Sequence, residues 1–501
     1  MAGNPEHETN EREPSLGSRV AKATAWIVAG RLGVRLAGFV NMLIIARLLV
    51  PDDFGVVAIG LTVMQLLQNV SDMGIAQTVI RMKNATKADL DTLFTLSAAR
   101  GVVTALVLAG IAPLAVAVYG DERLLSVFLL IALHPLLTGF VNPRFFEFER
   151  EIDFSRDFRV ALMAKLAEVA TAITIAVIFR SYIALIAGLV AGGMVRLVLS
   201  YAMRPWLPGL ALSSFRQVFG FMGWLTGISF AAALNNKLDA LILGRIVGPA
   251  GTGLYYVGEQ LAELATRESG EPIARALYPG FATLSGTPER MREVFLQGVA
   301  ALAIIALPAA IGFALVADLA VPLILGAKWA EAVPVIQFIG PVLGLQSLVL
   351  ATQSYAMAQD RPQLIFWREL AFFFFRTPIF IAGAMMYGLI GAVAATALTG
   401  IGHLALNLHL YQRLSGAPFW QPLWVARRSL IGVAAMAGLI VFLRPALDNL
   451  PGFVSLAVLV AVGGSAFVGT LIACWFAEGR PAGIETTIRD KFLVRLFPNA
   501  V

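Results

Sequence analysis

Long runs of apolar residues without a charge constrain this chain more than any other feature. Phe453 to Phe476 contains no charged residue, and Ile431 to Leu443 is equally apolar. A helix needs about 20 apolar residues to cross a bilayer core, where every backbone N–H and C=O must be bonded internally. The chain is 58% hydrophobic and 14% charged, against about 25% charged residues in soluble domains. We therefore predict an all-α integral membrane protein.

About fourteen segments are long and apolar enough to span a membrane. The predicted spans are 22–49, 54–80, 90–118, 124–142, 157–179, 182–203, 216–246, 252–280, 294–317, 331–357, 364–386, 388–411, 423–443 and 452–476.

The charges between these segments predict on which side of the membrane each connection lies. Numbered from the N-terminus, the even connections carry Arg and Lys, whereas the odd ones are short and poor in both. Positive residues concentrate in the cytoplasmic loops of membrane proteins, so we expect both termini in the cytoplasm. The same bias explains the net charge of +6 without nucleic-acid binding.

The sequence repeats itself at an offset of 198 residues. Arg47, Pro51 and Gly55 recur with identical spacing as Arg245, Pro249 and Gly253, at the ends of equivalent segments. Six helices per copy keep both copies in one orientation, as in parallel-repeat transporters whose substrate site lies between the repeats. The repeat predicts two parallel six-helix lobes around a central cavity, followed by a C-terminal helix pair.

These features predict five parts. The first is a disordered cytoplasmic tail over 1–18, which lacks the pattern of a signal peptide. The others are an N-lobe of helices 1–6 over 19–205, a C-lobe of helices 7–12 over 212–413, helices 13–14 over 422–477, and a basic cytoplasmic tail over 478–501.

The first repeat carries a family resemblance. Ala46 to Gly55 reads ARLLVPDDFG, and Ser71 to Gln77 reads SDMGIAQ before Ile80 and Arg81. This stretch resembles the Wzx-type lipid-linked oligosaccharide flippases, the polysaccharide exporters of the multidrug/oligosaccharidyl-lipid/polysaccharide superfamily. Size, helix number and the terminal helix pair extend the resemblance over the whole chain.

The resemblance implies a function. It implies translocation of an undecaprenyl-pyrophosphate-linked oligosaccharide across the bacterial inner membrane, for exopolysaccharide or lipopolysaccharide biosynthesis. Alternating access driven by a proton or sodium gradient is expected, with no other cofactor. Expected partners are the lipid-linked substrate, membrane lipids, and the polysaccharide polymerase with its chain-length machinery.

The first helix differs from that of one relative, and the difference bears on the substrate. The flippase of the peptidoglycan precursor has Ser-Arg-x-x-Gly-Phe-x-Arg-Asp in its first helix. This chain keeps Arg35, Gly38 and Phe39, but has Asn41 and Met42 in place of the second Arg and the Asp. The departure favours the polysaccharide branch.

Basic residues within the apolar segments are the substrate-binding candidates, because a charge at mid-membrane is costly and usually functional. Arg31 and Arg35 lie four residues apart on one helix face, and arginine forms bidentate bonds to phosphate oxygens. The alternative is that Arg31 reaches the headgroups. The candidates for the pyrophosphate and sugars are Arg31, Arg35, Asn41, Arg100, Arg196, Lys237 and Arg376.

Acidic residues in the spans are the candidates for ion coupling, because a proton carrier needs a carboxylate with a raised pKa. They are Asp72, Glu168, Asp239, Glu259 and Glu263. Two have structural alternatives: Glu168 is spaced to neutralise Lys165, and Asp239 is placed to pair with another helix. We predict no metal site.

The sequence disfavours other classes of protein. It has no Gly-rich phosphate loop, His-Glu-x-x-His motif or nucleophile elbow, so we predict a secondary transporter and not an enzyme. Cys474 is the only cysteine, which excludes disulfides within the chain. The alternatives are a multidrug exporter of the same superfamily and a membrane glycan polymerase or ligase.

Overall fold

The structure is a computed structural model. It describes residues 33–71, 79, 86–150, 154–212, 223–284 and 286–479. The tail predicted over 1–18, most of the tail over 478–501, and the candidates Arg31 and Asp72 lie outside the described residues.

Each predicted span coincides with helix in the described part of the chain, where no strand occurs. The first six helices are α1 (33–48), α2 (Pro51–Ser71), α3 (Lys87–Tyr119), α4 (Arg123–Ile131, continued by Leu133–Gly139), α5 (Phe154–Phe179) and α6 (Ile183–Met203). The others are α7 (Gly223–Ile246), α8 (Pro249–Thr283), α9 (Pro288–Ile324), α10 (Val333–Ser347, continued by Thr352–Ala358), α11 and α12 (the two arms of Pro362–Ser415), α13 (Arg427–Leu447) and α14 (Gly452–Ala477). Shorter helical stretches are Pro143–Phe146, Glu147–Arg150, Ala327–Ala332 and Gln421–Val425.

Length and composition support the membrane assignment. Within the described residues, eight helices are long and apolar enough to cross a membrane. One of them, Pro362–Ser415, contains two of the predicted spans. The prediction of an all-α, multi-pass membrane protein is confirmed.

A tight reversal separates α11 from α12. Tyr387 leaves helical geometry and Gly388 has a φ of +60°, in the left-handed region that glycine tolerates best. A Cβ on Gly383 would lie 2.5 Å from the carbonyl oxygen of Gly391, so small residues let the two arms pack closely. The predicted boundary between the spans 364–386 and 388–411 lies at this turn.

Contacts divide the chain into two compact units. The first unit takes residues up to Ile45, Asp72–Ala109 and Leu129–Phe221, and the second takes Ala46–Ser71, Gly110–Phe128 and Met222 onwards. Each unit is therefore assembled from separate stretches of chain. The lobe boundaries predicted over 19–205 and 212–413 remain a prediction.

In the first unit, glycines let two helices touch, and hydrogen bonds hold an extended segment against α3. A Cβ on Gly101 of α3 would lie 2.9 Å from the Cα of Gly139 at the end of α4, so these helices touch backbone to backbone. The extended segment after α6 is anchored on α3: the amide of Gly209 donates to Asp91 Oδ1 at 2.8 Å. The amide of Ala211 donates to Thr95 Oγ1 at 3.0 Å.

Aromatic packing organises the core of the second unit. Phe295 of α9 stacks on Tyr411 of α12 at 4.7 Å between ring centroids, and Tyr355 of α10 meets Phe295 edge-on at 5.5 Å. All three side chains are fully buried. Gly432 of α13 receives the ring of Phe467 of α14, which would lie 3.0 Å from an added Cβ.

A cluster of charged side chains stabilises the turn between α3 and α4. Asp121 accepts hydrogen bonds from the backbone amide of Arg123 at 2.9 Å and from its guanidinium at 2.7 Å. The guanidinium also pairs with Asp52 at 2.5 Å. The hydrogen bonds from Arg123 favour the charged carboxylate and lower the pKa of Asp121.

We expect Asp121→Asn to destabilise the protein by about 0.5–1 kcal/mol at pH 7, since the cluster is partly exposed. Because folding lowers the pKa of Asp121, its contribution is complete above the unfolded pKa of about 4. The contribution is lost as the pH falls through the lower folded pKa. Thermal unfolding in detergent between pH 7 and pH 3 measures this.

The control for this prediction is Glu122→Gln, because Glu122 is the exposed neighbour in the same turn. The control is expected to unfold like the unsubstituted protein. Equal losses in both variants would contradict the account of the turn.

Candidate functional site

A buried ion pair joins α7 to α11 in the second unit. Arg376 of α11 donates to Asp239 Oδ1 of α7 at 2.8 Å, and its second terminal nitrogen bonds Asp239 Oδ2. The guanidinium also donates to the carbonyl oxygen of Asn235 at 2.6 Å. Arg376 is 7% exposed and Asp239 is 3% exposed. The two-pronged geometry is the strongest form of this interaction.

Further hydrogen bonds extend the pair to α8 and α12. The hydroxyl of Tyr255 of α8 donates to Asp239 Oδ2 at 2.7 Å and lies 3.0 Å from the hydroxyl oxygen of Thr396 on α12. Both oxygens of Asp239 are therefore bonded, and the charge of Arg376 is neutralised locally.

A second charged pair lies on α11 beside the first. Arg368 pairs with its neighbour Glu369 and donates to Asn407 Oδ1 of α12 at 2.6 Å. The side-chain amide of Asn235 donates to Glu369 Oε2 at 2.8 Å and to the Glu369 carbonyl at 2.9 Å. Asn235 therefore contacts both pairs, one through its backbone and one through its side chain.

These groups border a cavity of about 120 Å³. It is lined by Asn235, Glu259, Glu263, Ile339, Val342, Leu343, Gln346, Glu369, Phe372, Arg376, Thr396, Gly400 and His403. Among the described residues, Asn235 Oδ1 and His403 Nε2 are buried without a hydrogen-bond partner. Buried polar atoms are usually satisfied by protein or by water, and this space is large enough for several water molecules. We refer to it as the polar cavity.

The structure brings together four of the predicted site residues. Arg376, Glu259 and Glu263 line the polar cavity, and Asp239 is bonded to Arg376 directly behind it. Glu259 and Glu263 lie one turn apart on α8. Lys237 is half-buried on α7, and it is a positive charge near Glu259.

Glu168 lies in the first unit and is paired. Lys165 Nζ donates to Glu168 Oε1 at 2.6 Å, as the spacing of three residues on α5 predicts. Glycines on the neighbouring helices make room for the pair. A Cβ on Gly38 of α1 would lie 3.2 Å from Lys165 Cε, and one on Gly192 of α6 would lie 3.2 Å from Glu168 Cβ.

The other described candidates also belong to the first unit. Arg35 of α1 and Arg100 of α3 are half-buried, whereas Arg196 of α6 is exposed. Asn41 of α1 is buried, and its Oδ1 has no hydrogen-bond partner in the described part of the chain. Their role in substrate binding remains a prediction.

Several members of the network are not among the predicted site residues. Asn235 lies two residues before Lys237, in a polar run on α7 that also contains Asp239. Tyr255, Thr396 and Asn407 are single polar residues in apolar helices, and such residues carry no signal of their own. Among the described residues, no group of three metal-ligating side chains could hold a metal ion.

We expect Arg376→Gln to lower the free energy of unfolding by about 3–5 kcal/mol, because it leaves Asp239 charged and unpaired in a buried site. The double variant Asp239→Asn/Arg376→Gln removes both charges and is expected to be more stable than either single variant. Unfolding in detergent micelles measures all of these as a double-mutant cycle.

Arg413→Ala is the control for the cycle, because Arg413 lies exposed at the end of α12. Strictly additive losses in the double variant would show that Asp239 and Arg376 are not coupled.

Comparison with known proteins places the chain in a family. The family model described as "Polysaccharide biosynthesis protein" matches residues 44–334. The lipopolysaccharide biosynthesis protein WzxC of Escherichia coli is 26% identical over 397 residues, covering 78% of this chain and 81% of the relative. The succinoglycan biosynthesis transport protein ExoT of Rhizobium meliloti is 24% identical over 467 residues, covering 90% and 91%.

Solved structures agree on the fold. The lipid II flippase MurJ, in an inward closed conformation, is similar with a TM-score of 0.71 at 11% identity, covering 90% of this chain and 99% of that chain. The MATE transporter VcmN of Vibrio cholerae gives a TM-score of 0.53 at 15% identity, covering 80% and 98%. At these identities the similarity shows the fold alone. The prediction of a transporter and not an enzyme is supported by the relatives found by sequence, one of which is described as a transport protein. The chain belongs to the family described as polysaccharide biosynthesis protein, and its similarity to WzxC supports the resemblance to Wzx-type flippases.

Proposed function

We propose that this protein carries a lipid-linked oligosaccharide across the bacterial inner membrane for exopolysaccharide or lipopolysaccharide biosynthesis. The carrier lipid is undecaprenyl pyrophosphate, and both termini of the protein lie in the cytoplasm. The observation that carries the proposal is the similarity, over 90% of the chain, to a transport protein of succinoglycan biosynthesis. The polymerase and the chain-length machinery receive the product on the outer side.

Basic residues of the first unit are the proposed contacts for the pyrophosphate. Arg376 is less suited than the sequence predicts, because its guanidinium is already bonded to both oxygens of Asp239. Releasing it would leave a buried carboxylate unpaired. We keep Arg35 of α1 and Arg100 of α3, which are half-buried in the first unit, as the main candidates, because arginine can form bidentate bonds to phosphate oxygens.

An apolar groove suits the lipid tail of the substrate. Helices α9, α13 and α14 enclose about 870 Å³, lined by side chains such as Pro308, Met436, Leu459, Phe467 and Trp475. Such a surface takes hydrocarbon and offers nothing to a sugar or a phosphate. We propose that the prenyl chain, or an ordinary membrane lipid, occupies this groove.

Glu259 is the proposed ion-coupling carboxylate. Asp239 is neutralised by Arg376, and Glu168 is neutralised by Lys165. Glu259 faces the polar cavity, and it forms no ion pair with the described residues. A carboxylate that borders a small polar cavity without a fixed counter-ion is suited to take up a proton or a sodium ion. Glu263, one turn away, shares the same cavity.

Export of a multidrug substrate is not favoured. The relatives found by sequence belong to polysaccharide biosynthesis, whereas the MATE transporter of known structure matches at 15% identity, where similarity extends to the fold alone.

Arg35→Ala is expected to lower polysaccharide output at least tenfold, because a charge-assisted bond to the substrate contributes about 1.5–3 kcal/mol. Arg35→Lys keeps the charge without the two-pronged geometry and should lose less. Polymer yield at matched protein levels measures both, with Arg413→Ala as the unaffected control. Normal output from Arg35→Ala would remove Arg35 from the substrate path.

Glu259→Gln is expected to abolish the dependence of transport on the coupling gradient, because the amide carries no titrating proton and no charge for a cation. Transport into inverted vesicles under imposed pH or sodium gradients measures this and identifies the ion. Glu331→Gln is the control, since Glu331 is exposed. Undiminished gradient dependence in Glu259→Gln would rule out Glu259 as the coupling group.

A further inference from the structure

An ion pair lies in the middle of helix α5 in the first unit. Lys165 Nζ donates to Glu168 Oε1 at 2.6 Å. Lys165 follows Phe154, the first residue of α5, by 11 residues, which is about 16 Å along a helix axis. The hydrocarbon core of a bilayer is about 30 Å thick, so the pair lies near the midplane of the membrane.

The pair is partly exposed at this depth. The side chains of Lys165 and Glu168 are 21% and 26% exposed. Charged groups within a membrane face the interior of the helix bundle or a water-filled space, because hydrocarbon does not solvate them. The exposed part of the pair therefore faces water, where a polar ligand can reach it.

Glycines on the neighbouring helices leave the pair uncovered. A Cβ on Gly38 of α1 would lie 3.2 Å from Lys165 Cε, and one on Gly192 of α6 would lie 3.6 Å from Glu168 Oε2. A larger side chain at either position would cover part of the pair or displace it. Helices α1, α5 and α6 of one unit thus build the site.

The two side chains have hydrogen-bonding groups to spare. Their mutual bond uses one oxygen of Glu168 and one proton of Lys165. Within the described part of the chain, neither side chain makes another hydrogen bond. One carboxylate oxygen and two ammonium protons remain, so the site offers an acceptor beside donors.

The charge balance of the pair selects its ligand. The attraction of Lys165 for a phosphate is opposed by Glu168, and a carboxylate paired with an ammonium holds a proton poorly. A sugar hydroxyl, by contrast, is both a donor and an acceptor. Two neighbouring hydroxyls of a sugar ring therefore match the acceptor and the donors of this site.

The proposed pyrophosphate contact lies one helical turn away. Arg35 and Gly38 are three residues apart on α1 and so share a helix face, and Gly38 is the residue that packs against Lys165. Three residues are about 4.5 Å along the helix axis. A pyrophosphate at Arg35 therefore places the sugar attached to it beside the pair.

We propose that Lys165 and Glu168 form a subsite for the sugar nearest the pyrophosphate, which we call the sugar subsite. Glu168 accepts a hydrogen bond from one hydroxyl, and Lys165 donates to the next. The proposal rests on the proposed function for its substrate. It gives Glu168 a role in sugar recognition in place of the ion coupling that the sequence suggests.

The first experiment measures equilibrium binding of two lipids to the full chain in nanodiscs. One is undecaprenyl pyrophosphate, and the other is the glycolipid with the complete oligosaccharide, extracted from cells in which the gene has been deleted. Lys165→Met/Glu168→Gln removes both charges and leaves neither unpaired. We expect this variant to bind the glycolipid at least tenfold more weakly, because charge-assisted bonds to the sugar are lost, and to bind undecaprenyl pyrophosphate normally.

Two further variants serve as controls. Asp318→Asn/Arg444→Gln neutralises another partly exposed ion pair, between α9 and α13, and is expected to bind both lipids normally. Arg35→Ala is expected to weaken the binding of both lipids alike, because both carry the pyrophosphate. Equal losses for the two lipids, or no loss, in Lys165→Met/Glu168→Gln would overturn the sugar subsite.

The second experiment exchanges the two charges. Lys165→Glu/Glu168→Lys keeps an ion pair at a spacing of three residues, so a pair that only stabilises the helix tolerates the exchange. In the sugar subsite the exchange puts donors in the place of the acceptor, and we expect glycolipid binding to fall at least tenfold while undecaprenyl pyrophosphate binds normally. Glycolipid binding at the unsubstituted level would overturn the sugar subsite.

The unsubstituted protein separates this proposal from the proposed function. Equal affinity for undecaprenyl pyrophosphate and the glycolipid would overturn the sugar subsite and leave the proposed function standing. Binding of neither lipid would contradict the proposed function itself, and the sugar subsite with it.

Discussion

The Asp239–Arg376 ion pair is the interaction on which the helices of the second unit depend. A charge in the membrane has no bulk water to solvate it, so it needs a partner within the protein, and the partner of Asp239 comes from another helix. Here one pair, extended by Tyr255 and Thr396, connects α7, α8, α11 and α12. The Asn235 side chain then joins it to a second charged pair. The polar cavity lies beside this network, where polar groups interrupt the apolar packing of the same helices.

Two kinds of contact join helices in the second unit. The charge network connects α7, α8, α11 and α12 through buried polar partners, whereas Gly55 and Gly253 bring α2 and α8 together backbone to backbone. The first kind needs a specific partner for each charge, and the second needs small residues at the contact.

The sequence predicts the helices better than their partners. Charge-free runs define the spans because lipid requires them, and the turn at Gly388 falls where one predicted span ends and the next begins. The Lys165–Glu168 pair follows from spacing within a single helix. The bonds from Asn235 to Glu369 and from Tyr255 to Asp239 do not, because they depend on how neighbouring helices rotate and cross. For the same reason the sequence identifies Arg376 and Asp239 as separate candidates and does not show that they neutralise each other.

The central claim is that the protein moves a completed lipid-linked oligosaccharide between leaflets. The most direct measurement locates that lipid in cells in which the gene has been deleted, using an enzyme or lectin that modifies the sugars from one side only. The account predicts complete, unpolymerised units that accumulate and are reached only from the cytoplasmic side. Complete units reached from the periplasmic side at the normal rate would contradict it.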